Sequence, residues 1–100
     1  MLYRAANKMI KTLYIARTAM LTGNDNTAIL NYNEVASIFL EKKETIEKHG
    51  GHNEVHPLSK NLAICYNNIA CIHARQKDYH KQNLYFDRSI QIAEEEIKRI

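Results

Sequence analysis

Residues 62–74 read LAICYNNIACIHA, a stretch in which only Asn67, Asn68 and His73 are polar. At 3.6 residues per turn, the apolar positions reach every side of a helix, so one neighbour cannot cover them. The segment therefore predicts a helix enclosed from two sides, as happens in a stack of helical hairpins. Asn67 and Asn68 are poor helix formers, and amides set among buried residues need hydrogen-bond partners.

Working upstream, Pro57 suits the first turn of this helix, where a fixed φ and a missing N–H cost little. Gly50 and Gly51 come before it, and residues 50–56 read as the one real loop. Residues 27–48 form a helix with Ile29, Tyr32, Ala36, Phe39 and Ile46 as its apolar positions. That stripe thins into Glu41-Lys42-Lys43-Glu44, which predicts exposed last turns supported by Glu44 and Lys48 at i,i+4. In residues 2–21, Leu2, Ala6, Met9, Leu13, Ala16 and Met20 recur every three or four positions, with Arg4, Lys8 and Lys11 opposite. Gly23 stops this helix in a left-handed conformation, and Asp25 or Asn26 caps the next.

Downstream, Asp78 is the expected N-cap of a helix over 79–100. Its stripe is Tyr79, Phe86, Ile90, Ala93, Ile97 and Ile100, with Glu94–Lys98 and Glu95–Arg99 pairs on the outer side. Short connections make consecutive helices antiparallel neighbours. The expected fold is all-α: two antiparallel helix-turn-helix hairpins of an α-solenoid, spanning 1–49 and 57–100. Their helices lie at about 2–21, 27–48, 57–76 and 79–100, joined through the 50–56 loop.

Length and composition agree with this reading. One hundred residues make a single domain, and three glycines with one proline are too few turn residues for a sandwich or barrel. The net charge of +3 is scattered, without a block of like charges, so no nucleic-acid partner is expected. Cys65 and Cys71 lie about 240° apart around a helix and cannot pair, which favours a reducing, cytoplasmic setting. No apolar run approaches the length of about 18 residues that a membrane span needs. No acid precedes Asp25, as in an organelle transit peptide, but no serine precedes Ser37, and a first helix with a basic edge accounts for the charge. The abundance of Ile, Asn, Lys and Tyr points to an AT-biased source genome.

The hairpins repeat. Setting Ala16 on Ala70 aligns Ile15 with Ile69, the turn at Gly23 with Lys77, and Tyr32 with Phe86. In the second copy Tyr66, Ile69, Ala70, Tyr79, Phe86 and Ser89 occupy signature places of the tetratricopeptide repeat, which this chain resembles. The stretch from His56-Pro57 through Asn67-Asn68-Ile69-Ala70 to Ser89–Glu94 is most similar to the long-helix variety found in kinesin light chains. The first copy matches at Ala16, Gly23, Ala28 and Tyr32. Gln82 stands where the family has alanine, Lys77 where it has the turn glycine, and the copies lie 54 residues apart against about 34 to 42.

The resemblance implies a non-catalytic scaffold for protein–protein interaction, in which the first helix of each pair lines a concave groove. It maps Leu13, Arg17, Met20, Asn67, Asn68, Cys71 and Arg75 onto that groove. Asn68 matches an asparagine that clamps a peptide carboxylate in some members, while Leu13 and Arg17 replace the accompanying lysine and asparagine. Arg17 interrupts an apolar arc, and Arg17, Asn67 and Arg75 read as a polar line for an acidic or extended partner segment. The expected partners are such segments and neighbouring repeats of the same or another chain. The alternative is a packing component of a large cytoskeletal or ciliary assembly, its groove permanently filled. Apolar first and last helices without polar caps suggest an excerpt of a longer protein.

Chemistry is sparsely represented. His49, His52 and His56 could approach a metal, but no carboxylate or thiol completes the set at a recognised spacing, so no metal site or cofactor is expected. Cys71 and His73, two apart on a helix, do not face each other. Without a phosphate loop, a serine elbow or a carboxylate pair, the sequence predicts no enzyme.

Overall fold

The computed structural model describes residues 2–50 and 52–99, with side chains for 8–50 and 57–98. Four helices follow one another, α1 (Leu2–Leu21), α2 (Asp25–Lys48), α3 (His52–Arg75) and α4 (Tyr79–Arg99), and the described residues contain no strand. Each helix packs on the next, giving a slab of 40 × 31 × 14 Å in which α3 lies between α2 and α4. Leu62, Ile69, Ala70 and Ile72 are fully buried, and Cys65, Tyr66 and His73 nearly so, as two-sided enclosure requires.

Both hairpins close by the same hydrogen bonds, 54 residues apart. Asn24 N–H donates to the Ala19 carbonyl at 2.8 Å and Gly23 N–H to Met20 at 3.4 Å; Asp78 N–H donates to His73 at 2.9 Å and Lys77 N–H to Ala74 at 3.0 Å. This paired arrangement ends a helix by satisfying carbonyls that have no partner within it, and it needs a left-handed residue after the last turn. Gly23 (φ 81°) supplies that residue without strain; Lys77 (φ 62°) holds the same conformation with a Cβ. Asp78 caps α4 as expected, its Oδ1 accepting the Lys81 N–H at 3.3 Å. At α2 the cap position falls to Asn24, whose side chain makes no capping bond, and Asp25 enters the first turn.

Three expectations change. Helix α3 begins at His52, ahead of Pro57, which lies inside it. So close to the helix start, proline forfeits one backbone hydrogen bond and the helix continues past it. In α2 the charged run is not wholly exposed: Lys43 is buried, and its Nζ donates to Glu95 Oε2 at 3.3 Å. Glu95 is therefore tied to α2.

The third change concerns α4. Most of its apolar stripe faces outward, with Tyr79 61% exposed, Ile90 54% and Ile97 69%, while Phe86 is half-buried. The covered side carries Gln82, Tyr85, Ser89, Ile92 and Glu96 instead. Ser89 Oγ donates to the Ala63 carbonyl at 3.0 Å, and Tyr85 stacks on His73 with centroids 5.6 Å apart. Arg88 lies over the rings of Tyr85 and Tyr66, at 5.1 and 5.9 Å. Hydroxyl, aromatic and guanidinium contacts thus hold α4 to α3, and the aliphatic stripe is left to the outside.

Two stability measurements follow. Ala70→Leu should destabilise by about 1–3 kcal/mol through overpacking, while Ala74→Leu, at a half-buried site, should cost far less. Lys77→Gly should stabilise by about 0.5–1 kcal/mol by relieving the left-handed strain. Urea unfolding read by circular dichroism measures both.

Candidate functional site

Two lines of side chains carry the residues that the sequence assigns to binding. On α1, Leu13, Arg17 and Met20 recur at helical spacing; Arg17 is exposed, and Leu13 and Met20 are half-buried against the core. On α3, Asn67, Cys71 and Arg75 stand four apart, all exposed. Arg75 Nη1 donates to the Met20 carbonyl at 3.2 Å, so the two lines converge at the turn end of the hairpins.

Asn68 departs from these lines. It is half-buried, and its side chain hydrogen-bonds the phenol of Tyr32, which is 1% exposed. The same hydroxyl donates to Met20 Sδ at 3.6 Å, and the Arg17 guanidinium is close enough to act on it electrostatically. Residues of α1, α2 and α3 therefore meet at one oxygen. Burial, with the Cys65 sulfur adding to it, raises the Tyr32 pKa above its usual 10.0; Arg17 and the Asn68 hydrogen bond oppose the rise without cancelling it. Tyr32 reads in the sequence as one more apolar position, although a buried phenol needs a partner, and that requirement was the available clue.

Arg75 is similarly committed. Its Nη2 makes a close ion pair with Asp25 Oδ1, and the carboxylate sits in the first turn of α2, where the helix dipole favours negative charge. The expected line of Arg17, Asn67 and Arg75 is therefore divided: Arg75 clamps the second hairpin to the first turn, while Arg17 makes no ion pair among the described residues. Asp25 was legible only as a capping candidate, because its arginine lies fifty residues away in sequence.

Among the described residues no three of His, Cys, Asp and Glu gather as metal ligands. His49 is exposed, and the side chains of His52 and His56 lie outside the described residues. Both cysteines are free. Scanned against family models, curated proteins and solved structures, the chain matches none of them. No helix among the described residues is long and apolar enough to cross a membrane.

Burial pushes the Cys65 thiol from 9.0 up to about 11. Between those values the folded chain holds a proton that the unfolded chain releases. This contribution to stability is complete below pH 9 and is lost as pH rises through about 11. Melting temperature should therefore fall across that window, less steeply in Cys65→Ala. At neutral pH an aromatic disulfide reagent should label the exposed Cys71 in the native chain and reach Cys65 only on unfolding.

Proposed function

We propose that this chain is a non-catalytic protein-interaction scaffold, a tetratricopeptide-like pair of hairpins. On this reading it binds acidic or extended partner segments along the face shared by α1 and α3. The observation that carries it is the meeting of Arg17, Met20 and Asn68 around the Tyr32 hydroxyl. At that junction Arg17 is exposed and makes no ion pair among the described residues, and the next hairpin presents the exposed Asn67 and Cys71. The identical bonding of the two turns supports the repeat. Arg17 is the residue that engages a partner carboxylate, Asn67 offers an amide to extended backbone, and Asn68 holds the platform. A cytoplasmic setting, cytoskeletal or ciliary, belongs to the same proposal. The alternative of lateral packing in a fixed assembly draws support from the exposed Ile90 and Ile97.

Panning the chain against a displayed library of unstructured peptides tests the reading. Selected sequences should be rich in Asp and Glu, and Arg17→Ala should weaken the best of them about tenfold, or 1–2 kcal/mol. Arg75→Ala should lower the melting temperature as well, since it releases Asp25. Selection without acidic enrichment, or affinity unchanged in Arg17→Ala, would overturn it.

A further inference from the structure

The open stripe of α4 corresponds to the buried stripe of α2. Shifted by 54 residues, Phe86, Ile90, Ala93 and Ile97 become Tyr32, Ala36, Phe39 and Lys43. Those four α2 residues are between 1% and 9% exposed, whereas Ile90 is 54% and Ile97 69% exposed, Ala93 is also open, and Phe86 is half-buried. The hairpin partner cannot explain the difference, because α2 has α1 and α4 has α3. The additional neighbour of α2 is α3, so α3 provides the cover that α4 lacks.

In place of that cover α4 has a groove. It lies between α3 and α4, encloses about 510 Å³, and is walled by Ala63, Ile64 and Asn67 on one side and Ser89, Ala93 and Ile97 on the other. At its edge the Ser59 hydroxyl is buried and has no hydrogen-bond partner among the described residues.

The matching half of the interface is also open, at the opposite side of the molecule. Helix α3 buries Leu62, Cys65, Ile69 and Ile72 on the arc beyond its own hairpin. The equivalent positions on α1 are Lys8, Lys11, Ile15 and Thr18, all exposed, and Ile15 and Thr18 border a hollow of about 290 Å³. Charge agrees with the fit at Lys11 on the α1 arc and Glu94 on α4, both exposed, whereas Lys8 already bridges Glu34 and Glu95 bridges Lys43. Because Arg75 fixes the end of α3 to the α1–α2 turn, the start of α1 and the end of α4 lie at the same end of the slab.

We propose that the α3–α4 groove receives α1 of a second copy, so that copies stack head to tail in the way that α3 stacks on α2. The contact joins two different surfaces and leaves one of each free, so it propagates as an open row. With lysines where α3 has Leu62 and Cys65, it is weaker than the internal junction and sensitive to salt. It does not rest on the partner-binding reading through Arg17, although Asn67 belongs to both surfaces.

Sedimentation velocity of the full chain from low micromolar to near-millimolar concentration, at low and high salt, tests this. The mass should rise with concentration and fall back with salt. Ala93→Glu in the groove and Ile15→Glu on α1 alter exposed positions, and circular dichroism checks that each stays folded; Ile97→Lys and Thr18→Glu replace them if not. Each variant alone should associate about tenfold or more weakly. Mixed, the intact α1 of the first fits the intact groove of the second, and the pair should stop at a dimer. A wild-type monomer at every concentration, association that neither variant weakens, or a mixture that forms no dimer would each overturn the proposal. Peptide binding through Arg17 would survive all three results.

Discussion

The enclosure of α3 from two sides is the constraint on which the remainder depends. Fully burying an aliphatic side chain is worth about 1.5–3 kcal/mol, and Leu62, Ile69 and Ile72 are all fully buried on this one helix. Neither α2 nor α4 alone reaches the whole circumference, so both must pack, and short turns then dictate that they run antiparallel to it. The small residues Ala63 and Ala70 let α4 approach closely enough for Ser89 to reach the Ala63 carbonyl.

Within that apolar frame a few polar atoms set the register. The Tyr32 hydroxyl would be a costly orphan at its depth; Met20 and Asn68 satisfy it from the helices on either side. Arg75 does the same at the turn end, fixing α3 against Asp25 and the Met20 carbonyl of α1. These bonds divide the candidate site between structure and recognition: Asn68 and Arg75 hold the hairpins together, and Arg17 and Asn67 remain turned outward.

The two hairpins are alike in their turns and unlike in their surroundings. Equivalent stripes on α2 and α4 have opposite fates, because only α2 has a third helix to cover it. Lys43 shows how strong that cover is: a lysine is accepted in the buried stripe because its ammonium reaches Glu95 while its stem packs.

Much of this was legible in the residues themselves. Periodicity placed the four helices, Gly23 and Asp78 marked where chains turn and restart, and the apolar run at 62–74 required a central helix. The lines Leu13–Arg17–Met20 and Asn67–Cys71–Arg75 came from the resemblance to tetratricopeptide repeats, and their helical spacing agrees with it. Tertiary structure alone decided which stripes are covered, that Lys43 is buried, that α3 begins ahead of Pro57, and that Arg75 is held by Asp25. The physical reason is that helix formation and side-chain alignment depend on residues a few positions apart. Burial and ion pairing depend on which helix lies alongside, and no local pattern in α4 records that its stripe lies open among the described residues.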